Sequence, residues 1–326
     1  MPYGTVNVDK VVSSDNITSG GLYGFKNRII NGAMVIDQRN AGASVTLTAS
    51  NAYNLDRWYA RAASGSGTTA IQSTTVPSNY KNSLLITVGT GASPGATDNN
   101  YIAQRIEGLN MADFGWGTAT ATAVTISFWV RCSLTGTFGG AVQNADVTRS
   151  YPFTYTISVA NTWEQKSVTI AGDTSGTWLT TNGVGMTMTF DLGTGATYQG
   201  TAGAWASADY RAASGAVKTI ATSGATFYIT GVQLEAGTNA TPFEFRSYTT
   251  ELQLCQRYYT TITTRSAGSA ESWYSMLTWP TTMRATPTIT FSAGTINTTY
   301  SLNQWNFAWN TTATQASTSV NASSEL

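Results

Sequence analysis

The side chains with the clearest chemical potential in this chain are aromatic rings in glycine-rich stretches. A pyranose can stack its apolar face on an indole or phenol ring, while its hydroxyl groups bind amide, carboxylate or guanidinium partners. Glycine frees the backbone to present such a ring outside the regular strand pattern. The rings and polar neighbours that fit this description are Trp116, Trp178, Tyr198, Trp205, Asp209, Tyr210 and Arg211. They form the candidate ligand-binding set, with packing between subunits as the alternative role.

Two further tryptophans, Trp305 and Trp309, lie near the end of the chain in a segment with strand-like alternation. They share one side of the predicted strand with Phe307, because side chains in a strand alternate between its two faces. Three large rings in a row form either an exposed binding surface or the shared core of an oligomer. Both roles stay open, and Trp305 and Trp309 join the candidate ligand-binding set.

The residues that enzymes use for acid–base and nucleophilic chemistry are scarce. The chain has no histidine, which removes the commonest general base, the Ser-His and Cys-His nucleophile pairs and the commonest zinc ligand. A glycosidase needs two carboxylates about 5–9 Å apart across a cleft. The conceivable members of such a pair are Asp173, Asp191, Asp209 and Glu235, and their spacing matches no recognisable catalytic motif. We therefore predict no enzyme activity, with polysaccharide hydrolysis as the alternative.

Charge and hydropathy argue against two classes of partner. Only 10% of residues are charged, and 17 Lys and Arg balance 17 Asp and Glu. Nucleic-acid binding relies on clustered basic side chains, so we predict no nucleic-acid partner. No apolar run approaches the roughly 20 residues of a membrane span, so no membrane insertion is expected. Residues 1–16 lack the pattern of a signal peptide.

The two cysteines, Cys132 and Cys255, are expected to be buried, reduced thiols.

Residues 26–246 carry the signature of an antiparallel β-sandwich. Short runs alternate between apolar and polar residues and are separated by Gly, Asn and Ser, which is typical of a sandwich or jelly roll. The runs are Ser44–Ala49, Ser83–Val88, Ala123–Arg131, Tyr155–Ala160, Lys166–Ile170, Met186–Leu192 and Thr226–Ala236. We predict an all-β jelly-roll domain over this range.

The spacing changes to that of a helix within residues 247–260. Leu252, Cys255 and Tyr259 fall at i, i+3 and i+7, on one face of a short helix. A helix of this length is marginal alone, so we expect it to pack against the sandwich or against copies of itself around a threefold axis.

The two ends of the chain are predicted to need partners. Strand-like alternation resumes in residues 261–326, and so small a β unit is difficult to stabilise alone. We therefore predict that residues 261–326 form a trimerisation or tip domain in a homotrimer. Residues 1–25 contain one isolated strand pattern and a Gly-rich linker, so they are expected to add to another subunit or docking protein, or to form a disordered tail.

Several sequence words resemble those of carbohydrate-binding modules with a jelly-roll fold. They are NRIINGAMVIDQRNAG from Asn27, NLDRW from Asn54, ISFWVR from Ile126, NTWEQKSVTI from Asn161 and FYITGVQLEAG from Phe227. The order of DRW, GVQLEAG, PFEFR, LCQRYY, WPTTMRATPTI and the final ASSEL is similar to bacteriophage tail-fibre and head-fibre proteins. The resemblance extends over residues 27–326 as scattered words.

This resemblance implies a virion fibre or spike subunit that attaches a phage particle to a host-surface glycan by non-covalent, multivalent binding. Residues 1–25 would then anchor the protein to a portal, tail or capsid protein, and the protein would be located in the virion. The balanced charge suits neutral or mixed glycans. The alternative is a purely structural capsid or tail decoration protein, or an adaptor, without receptor binding.

The same resemblance implies a structural calcium ion between the first and the closing strand of the sandwich. Asp37 and Glu235 are the residues that would contribute carboxylate ligands, with help from backbone carbonyl groups. Neither residue lies in a dense oxygen-ligand motif. No other cofactor is expected.

Overall fold

The computed structural model describes residues 25–264, 273–291, 298–311 and 318–326. Two six-stranded sheets dominate this part of the chain, and every strand pair within them is antiparallel. Residues 1–25 were predicted to add to another subunit or a docking protein, or to form a disordered tail. They lie outside the described residues except for Phe25, which is exposed.

The first sheet contains β1, β4, β5, β14, β7 and β10 in that spatial order. The bounds of these strands are Val45–Thr46 (β1), Thr69–Ser73 (β4), Ser83–Thr87 (β5), Thr226–Ala236 (β14), Val124–Cys132 (β7) and Glu164–Ile170 (β10). The closing strand β14 is central and pairs with both β5 and β7. A register irregularity between Thr230 and Gln233 interrupts its pairing with β7.

The second sheet contains β2, β3, β6, β11, β8 and β9 in that spatial order. The bounds of these strands are Ala52–Leu55 (β2), Trp58–Ala62 (β3), Asn100–Glu107 (β6), Val184–Asp191 (β11), Gly136–Gln143 (β8) and Ser150–Ile157 (β9). Alternate residues of each strand enter the core between the sheets, as period-two alternation requires. The inward residues include Trp58, Ile102, Met188, Phe190 and Phe153, all nearly inaccessible to solvent.

Burial of these side chains is the main stabilising contribution to the sandwich. Each fully buried Ile, Met or Phe contributes roughly 1.5–3 kcal/mol. Because the inward positions are taken by large apolar residues, the intervening residues of β3, β6, β11 and β8 must face outward. The outer face of the second sheet is therefore where the strands can present polar and aromatic side chains.

The long connection between β11 and β14 covers part of this outer face. It contains a short parallel pair, β12 (Gln199–Gly200) and β13 (Ala212–Ala213). Ser150 of β9 forms an isolated bridge with Ala206, and its hydroxyl group donates to the carbonyl oxygen of Ala208 at 2.6 Å. A Cβ atom on Gly139 of β8 would lie only 3.1 Å from the Cβ atom of Ala213, so glycine there permits this close approach. The connection forms a wall beside the outward side chains of β3 and β6, of which Arg61 and Arg105 are half-buried and Tyr59 and Tyr101 buried.

The helix α1 extends from Tyr248 to Gln256, and Ser247 caps it by accepting the N–H of Thr250 at 3.3 Å. The predicted helix is present but ends before Tyr259, where β15 begins. Cys255 packs with Ile30, Ile36 and Tyr258 in a separate apolar cluster. The helix is thus stabilised by the first segment of the sandwich, which is one of the two alternatives that the sequence left open.

The C-terminal β unit consists of two three-stranded antiparallel sheets. One contains β15 (Tyr259–Thr264), β20 (Thr318–Ser323) and β17 (Thr288–Phe291), and the other β16 (Trp273–Thr278), β19 (Asn306–Thr311) and β18 (Thr298–Leu302). Their core contains Trp279, Met283, Phe307, Val320 and Ala322. The predicted fold class, an antiparallel jelly-roll sandwich followed by a short helix and a small β unit, is confirmed. The homotrimer stays a prediction.

Candidate functional site

The outer face of the second sheet carries a groove whose floor and sides come from adjacent strands. Strand pairing places Arg105 of β6 opposite Thr187 of β11, and Thr187 opposite Gln143 of β8. A neighbouring row runs from Tyr59 of β3 through Ala103 and Thr189 to Ala141. Of this second row, Tyr59 and Thr189 line the groove, whereas Ala103 and Ala141 are fully buried.

Two buried aromatic residues line one side of the groove: Tyr59 is 2% exposed and Tyr101 is 5% exposed. Tyr59 and Tyr101 lie with their ring centroids 6.3 Å apart in an edge-on arrangement, and Tyr53 lies 5.5 Å from Tyr59. With Ala103 these residues form a small apolar cluster that is separate from the core between the sheets. Burial raises the pKa of Tyr59 well above its usual value and that of Tyr53 to about 12, so both phenols remain protonated hydrogen-bond donors at neutral pH.

Two arginines flank these rings. Arg61 of β3 is paired directly with Tyr101 of β6. The guanidinium of Arg105 lies 5.4 Å from the centre of the Tyr59 ring and donates a hydrogen bond to the backbone oxygen of Leu326. The hydroxyl group of Tyr53 also donates to this oxygen, at 3.4 Å. The last residue of the C-terminal unit therefore contacts side chains of β2 and β6 beside the groove.

The opposite side of the groove is held by a polar network from the long connection. Asp209 accepts two hydrogen bonds from the guanidinium of Arg211, at 3.0 and 2.7 Å, and one from Gln143 at 2.7 Å. Arg211 donates further to Asn99 at 2.9 Å and lies 4.5 Å above the ring of Tyr198. Charge-assisted, bidentate pairing fixes the orientation of both side chains, so this wall is preorganised.

The resulting groove has a volume of about 320 Å³. It is lined by Asn51, Tyr59, Arg61, Tyr101, Arg105, Gln143, Ala145, Val147, Val184, Thr187, Thr189 and Arg211. Aromatic faces, hydroxyl groups, an amide and guanidinium groups are the chemistry that stacks on a sugar ring and binds its polar substituents.

The structure brings some of the sequence-predicted residues into this site. Asp209 and Arg211 form its polar wall, with Arg211 lining the groove and Tyr198 packed behind it. Tyr210 lies between them in sequence, is half-buried, and donates its N–H to the hydroxyl of Ser150 at 3.2 Å.

The three predicted tryptophans of the sandwich pack against one another instead. The ring centroids of Trp116, Trp178 and Trp205 are 4.7 to 5.5 Å apart, and the rings meet edge to face. Trp116 and Trp178 are 5% and 7% exposed. Their indole N–H groups donate to Thr122 and Asp173 within the chain. These rings therefore contribute mainly to the core at the edge of the sandwich, away from the groove residues.

The remaining predicted tryptophans lie in the C-terminal unit, apart from the groove. Trp305 is 60% exposed in the turn that precedes β19. The backbone of Trp309 pairs with Ser275 of β16, and its side chain lies outside the described residues. Phe307, in contrast, is buried in the core of the unit. Ligand binding by Trp305 and Trp309 stays a prediction.

The residues predicted to bind calcium are held by hydrogen bonds within their own loops. Asp37 accepts the N–H groups of Asn40 at 2.9 Å and Gly42 at 2.7 Å. Glu235 accepts from Gln233 at 2.8 Å and from the N–H of Thr241 at 2.9 Å. Within the described ranges there is no group of three or more His, Cys, Asp or Glu that could hold a metal ion. Calcium binding by Asp37 and Glu235 stays a prediction.

The conceivable catalytic carboxylates belong to separate networks. Asp173 accepts two hydrogen bonds of 2.7 Å from Arg149, and Asp209 is held by Arg211 as described. Asp191 is buried at the end of β11, where it accepts the N–H groups of Gly193 and Thr194. Burial raises the pKa of Asp191 to about 6.

Sequence reasoning missed the strand residues of the groove, namely Tyr59, Arg61, Tyr101, Arg105 and Gln143. The available signal was the alternation in WYARA and NYIAQRIE, where the positions between inward apolar residues carry tyrosine and arginine. Each strand shows only which residues share a face, and the groove becomes visible once the strands are placed side by side.

Among the described residues, no helix is long and apolar enough to cross a membrane.

Comparison with known proteins gives distant structural similarities. No protein-family model and no curated protein sequence matches the chain. A putative sugar-binding protein from Bacteroides thetaiotaomicron aligns with 65% of this chain and 100% of its own length at 12% identity and a TM-score of 0.38. The family 11 carbohydrate-binding module of Clostridium thermocellum, in complex with a mixed-linked tetrasaccharide, aligns with 60% of this chain and 98% of its own at 10% identity and a TM-score of 0.30.

A third structure, the enzymatically active domain of tailspike protein 4 from bacteriophage CBA120, aligns with 65% of this chain at 12% identity and a TM-score of 0.37. The chain covers about a fifth of that tailspike structure, 21% of its length. Identities and TM-scores of this size assign neither a family nor a ligand.

Proposed function

We propose that this protein binds a saccharide non-covalently in the groove on the outer face of the second sheet. The observation that carries the proposal is the polar lining of the groove, in which Arg61, Arg105 and Thr187 are half-buried around the buried rings of Tyr59 and Tyr101. Guanidinium and hydroxyl groups can bind the polar substituents of a pyranose, and the buried Tyr59 ring supports the guanidinium of Arg105, which lies 5.4 Å from its centre. The groove also offers the amide of Gln143 and the hydroxyl of Thr187.

Binding at one groove is expected to be weak. Each hydrogen bond between neutral groups contributes about 0.5–1.5 kcal/mol net, because it replaces bonds to water. Several linked copies of the protein compensate for the weak binding of a single groove, since linked sites gain roughly 10² to 10⁴ in avidity without any new contact. A repetitive glycan on a cell surface is the kind of ligand for which such multiplication is effective.

We further propose that the protein serves in a virion, as a homotrimeric fibre or spike subunit that attaches the particle to its host. This finer proposal is supported by the order of phage-fibre-like words in residues 27–326 and by the neutral, hydroxyl-rich composition. Residues 1–25 would bind a portal, tail or capsid protein. Sedimentation equilibrium tests the assembly: a mass three times that of the chain is expected, and a monomer at micromolar concentration contradicts it.

The binding proposal is tested by filling the groove. Thr187 faces outward between Arg105 and Gln143, so Thr187→Trp places an indole in the groove. Thr154→Trp is the matched control, because Thr154 is exposed on the outer face of the edge strand β9 and does not line the groove. Affinity electrophoresis through gels that contain a polysaccharide measures by how much binding slows the migration of each protein, relative to a gel without polysaccharide.

We expect retardation of the wild type and of Thr154→Trp, and its loss in Thr187→Trp, with all three proteins showing the same circular dichroism spectrum. Equal retardation of both variants would overturn the groove as the binding site. Absence of retardation in every gel would favour a structural decoration protein, and release of reducing ends from a polysaccharide would establish hydrolysis.

A further inference from the structure

We infer that the groove selects a saccharide that bears a carboxylate, such as a glycan with uronic acid residues. This inference rests on the proposed function and departs from the neutral or mixed glycan that the balanced composition favours. The whole chain has a formal net charge of zero, but three arginines line the groove against a single acidic side chain in its wall, Asp209. The local charge of the site is therefore positive while that of the molecule is not.

Arg61 is the cation whose partner is missing. Arg61 of β3 pairs with Tyr101 of β6, so the two side chains lie on the same, outer face of the sheet. In the described part of the chain Arg61 forms no ion pair, and its Nε atom is buried without a hydrogen-bond partner. Other arginines of the chain, such as Arg28 and Arg57, also have a buried Nε atom without a partner, but they form ion pairs through their terminal nitrogens, which Arg61 does not. An anion in the groove would supply an acceptor for the Arg61 guanidinium.

Arg105 provides a second guanidinium near the first. It forms no ion pair with a described carboxylate side chain and donates to the backbone oxygen of Leu326. Its guanidinium also lies over the face of the Tyr59 ring, 5.4 Å from the ring centre, which helps to orient it. Two arginines thus flank one pair of tyrosine rings.

Arg211, the third arginine of the groove, is paired with a carboxylate side chain, and this pairing indicates which kind of ligand group would suit Arg61 and Arg105. Arg211 is neutralised by Asp209 in an ion pair that consists of two hydrogen bonds, of 3.0 and 2.7 Å. A planar guanidinium matches a carboxylate in the same bidentate way, whereas a neutral sugar hydroxyl offers a single acceptor. A uronic acid combines a carboxylate for Arg61 or Arg105 with ring hydroxyl groups for a polar side chain of the groove such as Thr187.

The test compares each acidic polymer with its neutral counterpart. Polygalacturonate, alginate, glucuronoxylan and hyaluronan are cast in affinity gels beside the same polymers after reduction of their carboxyl groups, with dextran sulfate in a separate gel. The proteins are the wild-type chain, Arg61→Gln and Arg131→Gln. Arg131 lies in the first sheet, where its guanidinium donates to Asn161, so its variant loses the same charge away from the groove. Thermal unfolding verifies that both variants fold.

We expect at least one carboxylated polymer to retard the wild type, with affinity roughly tenfold or more above that for its reduced form, because hydrogen bonds to charged groups are the stronger ones. Arg61→Gln should lose a similar factor and Arg131→Gln should not. Equal retardation by acidic and reduced polymers would overturn the inference while leaving saccharide binding intact. Retardation by dextran sulfate alone would overturn the carboxylate assignment, and no retardation in any gel would count against the proposed function itself.

Discussion

Arg57 and Glu325 form a buried ion pair that joins the turn between β2 and β3 to the last residues of the C-terminal unit. Both side chains are almost inaccessible to solvent. Arg57 also lies 3.6 Å from the centre of the Tyr258 ring, and Glu325 accepts a second hydrogen bond from Arg39 at 2.9 Å. The pair therefore connects the sandwich, the segment after the helix and the C-terminal sheets.

Removing one member of this pair is predicted to destabilise the protein strongly. In Glu325→Gln, Arg57 stays buried without its anion, and breaking a buried pair in this way costs about 3–5 kcal/mol. The free energy of unfolding is measured with urea, by tryptophan fluorescence. Asp113→Asn is the control, because Asp113 is exposed in its ion pair with Arg28 and such pairs contribute at most about 1 kcal/mol. A Glu325→Gln variant as stable as Asp113→Asn would refute this role.

Asp191 is predicted to make stability depend on pH between about 4 and 6. Burial raises the pKa of its carboxyl group from the ordinary 3.8 to about 6. In this window the folded chain keeps a proton that the unfolded chain releases, so the contribution of Asp191 to stability falls as the pH rises.

Asp191→Asn removes this titration, and the amide oxygen can still accept the N–H groups of Gly193 and Thr194. From pH 4 to pH 7 the variant should therefore gain up to about 2 kcal/mol relative to the wild type. Urea unfolding at several pH values measures the difference. Parallel pH profiles for the two proteins would show that Asp191 does not titrate in this range.

The tryptophan cluster is predicted to support the core and not the groove. Trp178→Ala should lower the free energy of unfolding by about 3–5 kcal/mol, since it leaves a cavity beside Trp116 and Trp205. Retardation in polysaccharide gels should be unchanged at temperatures where the variant is folded. Trp305→Ala is the comparison, because Trp305 is exposed and its removal should cost well under 1 kcal/mol. Loss of binding in a folded Trp178→Ala protein would assign this cluster a ligand.

The two cysteines are predicted to be unreactive in the folded protein. Cys132 and Cys255 are free and buried, and burial raises the pKa of both thiols above the usual value. Since the thiolate is the reactive form, a thiol reagent such as 5,5′-dithiobis(2-nitrobenzoate) should modify neither residue at pH 8. Both should react after unfolding in urea. Rapid modification of the native protein would show that one of the buried clusters opens readily.

The sequence by itself determined the fold class and the type of most elements. Alternation in segments such as Thr226–Ala236 is a local property, because neighbouring side chains of a strand point to opposite faces whatever the strand pairs with. The spacing of Leu252 and Cys255 likewise predicted the helix. The absence of histidine excluded Ser-His and Cys-His nucleophile pairs and histidine zinc ligands from the sequence alone.

Only the tertiary structure decided which residues form the site. Arg61 meets Tyr101, and Arg105 meets Thr187 and Gln143, because β3, β6, β11 and β8 lie side by side in one particular register. A shift of one residue in any of these pairings would exchange the inner and outer faces, and no local pattern specifies the register between strands far apart in sequence. The same long-range packing gathered Trp116, Trp178 and Trp205 into a cluster, buried Tyr59 and Tyr101, and left Arg61 and Arg105 half-buried in the groove.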